Sequence, residues 1–171
     1  MTPIEIHNEQ LAGRIIKHLE RRNFNAHYCA TAPEAIKLVT SLMPKGSSVT
    51  WGGSQTIREM GLTGALIDSG DYRVIDRDKA TTPEQSRQCY LDAMDVDYFL
   101  TSANAITQDG VIVNIDGRGN RVAAITWGPH NVIHVIGMNK VAPTIEAALA
   151  RARNVAAPIN TAAIGTSIPS V

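Results

Sequence analysis

Short strand-like runs alternate with helical patterns along most of this chain, and that alternation restricts the fold more than any single motif does. Ser48 to Trp51, Tyr72 to Ile75, Asp97 to Ser102 and Val132 to Ile136 all read as strands. In the run from Asp97, three apolar residues stand side by side: Tyr98, Phe99 and Leu100. A strand with one wet face alternates polar and apolar side chains, so an unbroken apolar run suits a strand covered on both faces. A further short strand is expected near His27 to Cys29.

Helical signals fill the spaces between the runs. Leu11, Ile15, Ile16 and Leu19 recur at helical spacing over residues 5 to 22. Thr31-Ala-Pro-Glu34 has the form of a capping box, for a helix reaching Leu42. Ser54 is a candidate N-cap for a helix through Met60, which Gly61 would end. Thr82-Pro83-Glu84 opens a helix to about Met94; Arg121 to Ile125 and Pro143 to Val155 follow. Strands alternating with helices define an α/β chain, with a mainly parallel sheet and helices on both faces. One segment departs from this. Ile106 to Gly110 followed by Val111 to Ile115 reads as an antiparallel hairpin turning at Asp109-Gly110.

Composition then narrows the function. The chain has 171 residues, enough for one domain with its own core. Sixteen basic and sixteen acidic residues cancel, which speaks against a general electrostatic role on nucleic acid or an anionic membrane. Cys29 and Cys89 lie far apart without a CxxC pattern, so they are read as ordinary reduced thiols, with no metal site. No run approaches membrane-spanning length and no secretory signal opens the sequence; a cytoplasmic protein is expected. The domain is expected to span residues 1–160, with 161–171 as a small polar tail, and the assembly is expected to be a homodimer.

Three segments concentrate residues suited to binding. In Val49-Thr-Trp-Gly-Gly-Ser-Gln-Thr56 a strand ends, Gly52 and Gly53 follow, and a helix begins. Bare glycines admit a ligand close to the backbone, and the first helical amides, with the hydroxyls of Ser54 and Thr56 and the amide of Gln55, can hold a phosphate or carboxylate. The segment is neither a Walker loop nor GxGxxG. In Thr101-Ser-Ala-Asn-Ala-Ile-Thr-Gln-Asp-Gly110, Ser102 and Asn104 stand where a central strand ends, on the usual ligand side of an open α/β sheet. Asn104 equally suits tying the hairpin. In Val113-Asn-Ile-Asp-Gly-Arg-Gly-Asn-Arg121, Asn114, Asp116, Gly117, Gly119, Asn120 and Arg121 gather. Asp116 is the best-placed carboxylate for acid/base chemistry, with Glu59 second. Arg121 can grip an anion bidentately. His130 and His134, the latter in a strand, read as packing or surface residues, and Trp51 and Trp127 as core or pocket wall.

Together, SVTWGGSQTIREMGL at 48–62, DYFLTSANAITQDGVIVNIDGRGNRVAA at 97–124 and GPHNVIHVIGMNKV at 128–141 resemble the LUD-domain family, the lactate-utilisation proteins. That family is similar to sugar-phosphate isomerases and CoA transferases, which implies a Rossmann-like three-layer α/β/α fold. Such proteins hold their ligand over the corresponding glycine turn and strand ends. The wider group often has an acidic residue where this chain has Asn104. The departure removes the base that isomerase chemistry would use. Cysteine-rich tails also occur in related proteins, and 161–171 contains no cysteine. The resemblance implies an accessory subunit in oxidation of lactate to pyruvate. It would bind a small carboxylate or phosphate-bearing metabolite beside iron–sulfur partner proteins. A stand-alone isomerase-like or CoA-transferase-like enzyme is the alternative. The residues leave the identity of any cofactor open.

Overall fold

The computed structural model describes residues 1–164. In chain order the helices and strands are α1 (Pro3–Glu20), α2 (Ala32–Leu42), β1 (Ser48–Trp51), α3 (Gln55–Glu59), α4 (Leu62–Ser69), β2 (Arg73–Val74), α5 (Pro83–Asp92), β3 (Tyr98–Thr101), β4 (Ala105–Thr107), β5 (Ile112–Val113), α6 (Asn120–Thr126), β6 (Asn131–His134), β7 (Val141–Ala142), α7 (Ile145–Arg151) and α8 (Ala157–Ile164). They fall into two compact units. One comprises Ala32–Ser102 and Arg118–Val135, and the other Met1–Thr31, Ala103–Gly117 and the chain from Ile136 onward.

The first unit is built on a four-stranded parallel sheet in the order β2-β1-β3-β6. Its two faces are separated by the strand period. Val49, Trp51 and Leu100 point to one side and pack with Val39 and Met43 at the end of α2, Ile57 of α3 and Leu62 and Leu66 of α4. Phe99 points to the other and packs with Ala93, Val96 and Ala124, with Ile125 and Val132 beside them. Helices α2, α3 and α4 therefore cover one face, while α6 and the turn that follows α5 cover the other. This is the three-layer, Rossmann-like arrangement expected of strands alternating with helices around a central apolar run. Asp97 fastens the starts of β1 and β3. Its carboxylate accepts from the Ser48 amide at 2.7 Å and the Ser48 hydroxyl at 2.8 Å. These bonds hold its carboxyl below the usual carboxylate range.

The second unit holds the hairpin in a sheet of its own, ordered β5-β4-β7, with β7 parallel to β4. The turn is a three-residue loop. The Gly110 amide donates to Thr107 O, and the Thr107 amide donates to Val111 O across the loop. Gly110 has a φ of +80°, as a type I turn closed by a bulge requires. Ala105, Val113, Ala142, Ala148 and Ala152 form one small core here. Leu11 and Ile15 of α1 meet Ile106 in another.

Several sequence expectations shift. The strand near His27 to Cys29 is absent; the segment has no regular structure, and three residues offer too little ladder to hold a sheet edge. Helix α4 was not expected: Gly61 does end α3, but it also serves as the N-cap of the next helix. The last helix continues past Val155 through a π-helical stretch, Ala152–Ala156, into α8. The Ala157 amide donates to Ala152 O, a five-residue step. Pro158, which lacks an N–H, follows directly, and a widened turn is one way for a helix to accommodate it. Helix α8 takes in the first four residues of the expected tail, and 165–171 lie outside the described residues. Trp51 is buried as expected, whereas Trp127 is 78% exposed.

Candidate functional site

The carboxyl ends of β1, β3 and β6 bring Gly52, Thr101 and His134 onto the α6-facing side of the sheet. The register pairs Thr101 with His134, and the Gly52 amide donates to Leu100 O at 2.9 Å, extending the β1–β3 ladder by one step. Helix α6 lays Arg121 across this edge. The Arg121 guanidinium donates from Nη1 to Ser102 O at 3.0 Å. Its stem passes over Gly52 so closely that a Cβ there would stand 3.4 Å from Arg121 Cγ and Cδ and from Thr101 Oγ1. Glycine at 52 therefore leaves a fixed cation room to lie against the backbone.

His134 completes the group. Burial, together with the positive charge of Arg121, depresses its pKa to about 4, so the ring is neutral at pH 7. Its Nδ1 is buried and has no hydrogen-bond partner among the described residues. Buried polar atoms are nearly always satisfied, so this nitrogen calls for a partner that the described residues do not supply, a water or a ligand group. A guanidinium and a neutral imidazole side by side can hold a carboxylate and a neighbouring hydroxyl on one small molecule. Reading His134 as a packing or surface residue missed this. The available signal was its place at the carboxyl end of a parallel strand.

The glycine turn differs from expectation in its electrostatics. Helix α3 has only five residues, and the Ser54 hydroxyl already accepts from the Ile57 amide at 3.4 Å. So short a helix carries little macrodipole, and positive charge here comes from side chains. Gly53 is exposed, and a Cβ on it would meet only Arg77 Nη1 at 3.8 Å. Gln55 donates to Glu59 at 3.1 Å on the exposed side of α3. Thr56 is half-buried. Nearby, Asp78 receives two bonds from Arg58, at 2.6 and 3.0 Å, and one from the Trp51 indole at 3.2 Å. Arg58 and then Trp51 hold its carboxyl below the usual range. This network, unforeseen in the sequence, braces the end of β1.

The remaining expected residues divide between the units. Ser102, Gly119, Asn120 and Arg121 belong with the parallel sheet; Asn104, Asn114, Asp116 and Gly117 belong with the hairpin. Asn104 ties the hairpin. Its Oδ1 accepts from the Ile115 amide at 2.9 Å, its amide donates to Val113 O, and its carbonyl accepts from Arg151. Asp116 is half-buried just beyond β5.

A parallel sheet with helices on both faces, and polar groups gathered at its carboxyl edge, defines a Rossmann-like α/β protein. The LUD domain family model matches residues 12–169, nearly the whole chain, and the chain belongs to that family. No curated protein and no solved structure matches it. No helix among the described residues is long and apolar enough to cross a membrane.

Proposed function

We propose that this chain is an accessory subunit of lactate utilisation that binds a small hydroxy- or keto-carboxylate at the carboxyl ends of β1, β3 and β6. The family supports the physiological setting. The observation that carries the binding reading is the unsatisfied Nδ1 of His134 beside Arg121. In this reading Arg121 holds the carboxylate, and His134 meets the α-hydroxyl or keto oxygen. Gly53 and Ser54 form the adjoining wall, and the iron–sulfur proteins of the pathway carry the electrons. Isothermal titration with lactate and pyruvate tests the site. Arg121→Gln should weaken binding about tenfold or more, the cost of a charge-assisted hydrogen bond. Gly53→Val should also abolish binding while the protein stays folded, because Gly53 has no positive φ and its added side chain meets only Arg77. Lactate binding that survives both changes would move the site elsewhere. Normal growth on lactate after deletion of the gene, with no second copy present, would remove the physiological reading.

A further inference from the structure

A second feature of the parallel-sheet unit is lined by none of the strand-end residues described above. An open groove of about 480 Å³ runs along the first two turns of α5, lined by Thr81, Thr82, Ser86, Arg87, Tyr90 and Arg118 among others. No carboxylate lines it. Neither Arg87 nor Arg118 has an ion-pair or hydrogen-bond partner among the described residues. Arg77, which does not itself line the groove, holds its Cζ 5.3 Å from the centre of the Tyr90 ring. Of the acidic residues nearby in sequence, Asp78 pairs with Arg58 and Asp76 with Lys79, while Glu84 is exposed on α5 and does not line the groove. The groove is thus a locally basic surface on a chain of zero net charge.

The end of α5 does not itself provide the anion site. Gln85 Oε1 accepts from the Thr81 amide, the Thr81 hydroxyl and the Thr82 amide, and Pro83 has no amide hydrogen. The attraction comes from the arginines, which approach from two separate elements, Arg87 from α5 and Arg118 from the loop before α6. Arginine presents a planar fork that matches phosphate oxygens. The volume falls within the range of small-molecule sites and far exceeds a three-carbon acid. The Tyr90 ring adds an apolar wall.

We infer that this groove binds an organic phosphate, its phosphoryl oxygens held between Arg87 and Arg118 and its body lying against Tyr90. Its lining shares no residue with the carboxylate site, although Arg77 approaches both Gly53 and Tyr90, and the inference does not rest on that reading. Titration of the full chain with inorganic pyrophosphate and with ADP, at fixed ionic strength and with sulfate as control, tests it. Binding of both probes is expected, tighter for ADP, and it should weaken as salt rises. Arg87→Gln and Arg118→Gln should each lower affinity about tenfold or more, and both residues are exposed enough for the fold to persist. Arg121→Gln should leave pyrophosphate binding unchanged while weakening that of lactate, so the two sites can fail independently. Sulfate binding as tight as pyrophosphate would overturn the inference. So would pyrophosphate binding that depends on Arg121 but not on Arg87 or Arg118, or no binding at millimolar concentrations.

Discussion

His134 shows how one side chain couples the site to stability. Its folded pKa, about 4, lies below the ordinary value of 6.5. Between those values the unfolded chain binds a proton at this position and the folded chain does not, so folding loses stability as pH falls from 6.5 and the loss levels off below 4. The shift corresponds to at most about 3 kcal/mol, less whatever solvent screens at a ring that is not fully buried. Urea unfolding of the native chain and of His134→Gln across pH 4 to 7 should give curves that diverge as pH rises through this window. The lowered carboxyls of Asp78 and Asp97 are common to both proteins and cancel in the difference. Parallel curves would mean that the imidazole titrates as if solvated, and would remove the argument from its buried nitrogen.

The elements were legible where local chemistry decides them. The apolar run at Tyr98 to Leu100 announced a central strand, and Thr82-Pro83 announced a helix whose capping box, closed by Gln85, is present. What escaped notice was set by tertiary context. The second sheet depends on β7, a two-residue strand that only long-range pairing with Ile106 and Thr107 defines. Helix α4 carries an interior glycine, Gly64, which lowers its local signal. The site divides in the same way. Gly52 and Arg121 were readable from residue type and spacing, but the pairing of Thr101 with His134, which brings the imidazole to the strand ends, arises from sheet register, which no short window contains. Two glycines test the helix packing with opposite signs. Gly64 has open space around an added Cβ, so Gly64→Ala should stabilise by about 0.5–1 kcal/mol. Gly128 has a φ of +125°, and a Cβ there would lie 2.8 Å from Met94 O. Gly128→Ala should therefore cost about 2 kcal/mol or more, because backbone rather than a flexible side chain blocks it. Thermal denaturation of the two variants checks both signs.

For the molecule as a whole, the chain connectivity and the distribution of core residues make different demands. The chain enters the hairpin unit three times, yet each unit has its own sheet and its own buried clusters. The parallel-sheet unit draws its core from residues between Ala32 and Val135, including the fully buried Val49, Ile57, Leu62, Leu66 and Leu100. The hairpin unit needs the later chain: Ala142, Ala148 and Ala152 cover Ala105 and Val113, and β7 pairs with β4. A chain ended after Ile136 would strip that cover and leave the parallel sheet with every strand and every covering helix it has. Amides in β4 and β5 should then exchange rapidly, having lost the ladder to β7 and the small core above it. Those in β1, β3 and β6 should keep strong protection, because exchange from a core strand reports the stability of its own cooperative unit. Hydrogen exchange on the truncated chain, read peptide by peptide, separates these outcomes. Loss of protection in β3 to the same extent as in β4 would show that the molecule unfolds as one cooperative body, with the parallel sheet unable to persist on its own contacts.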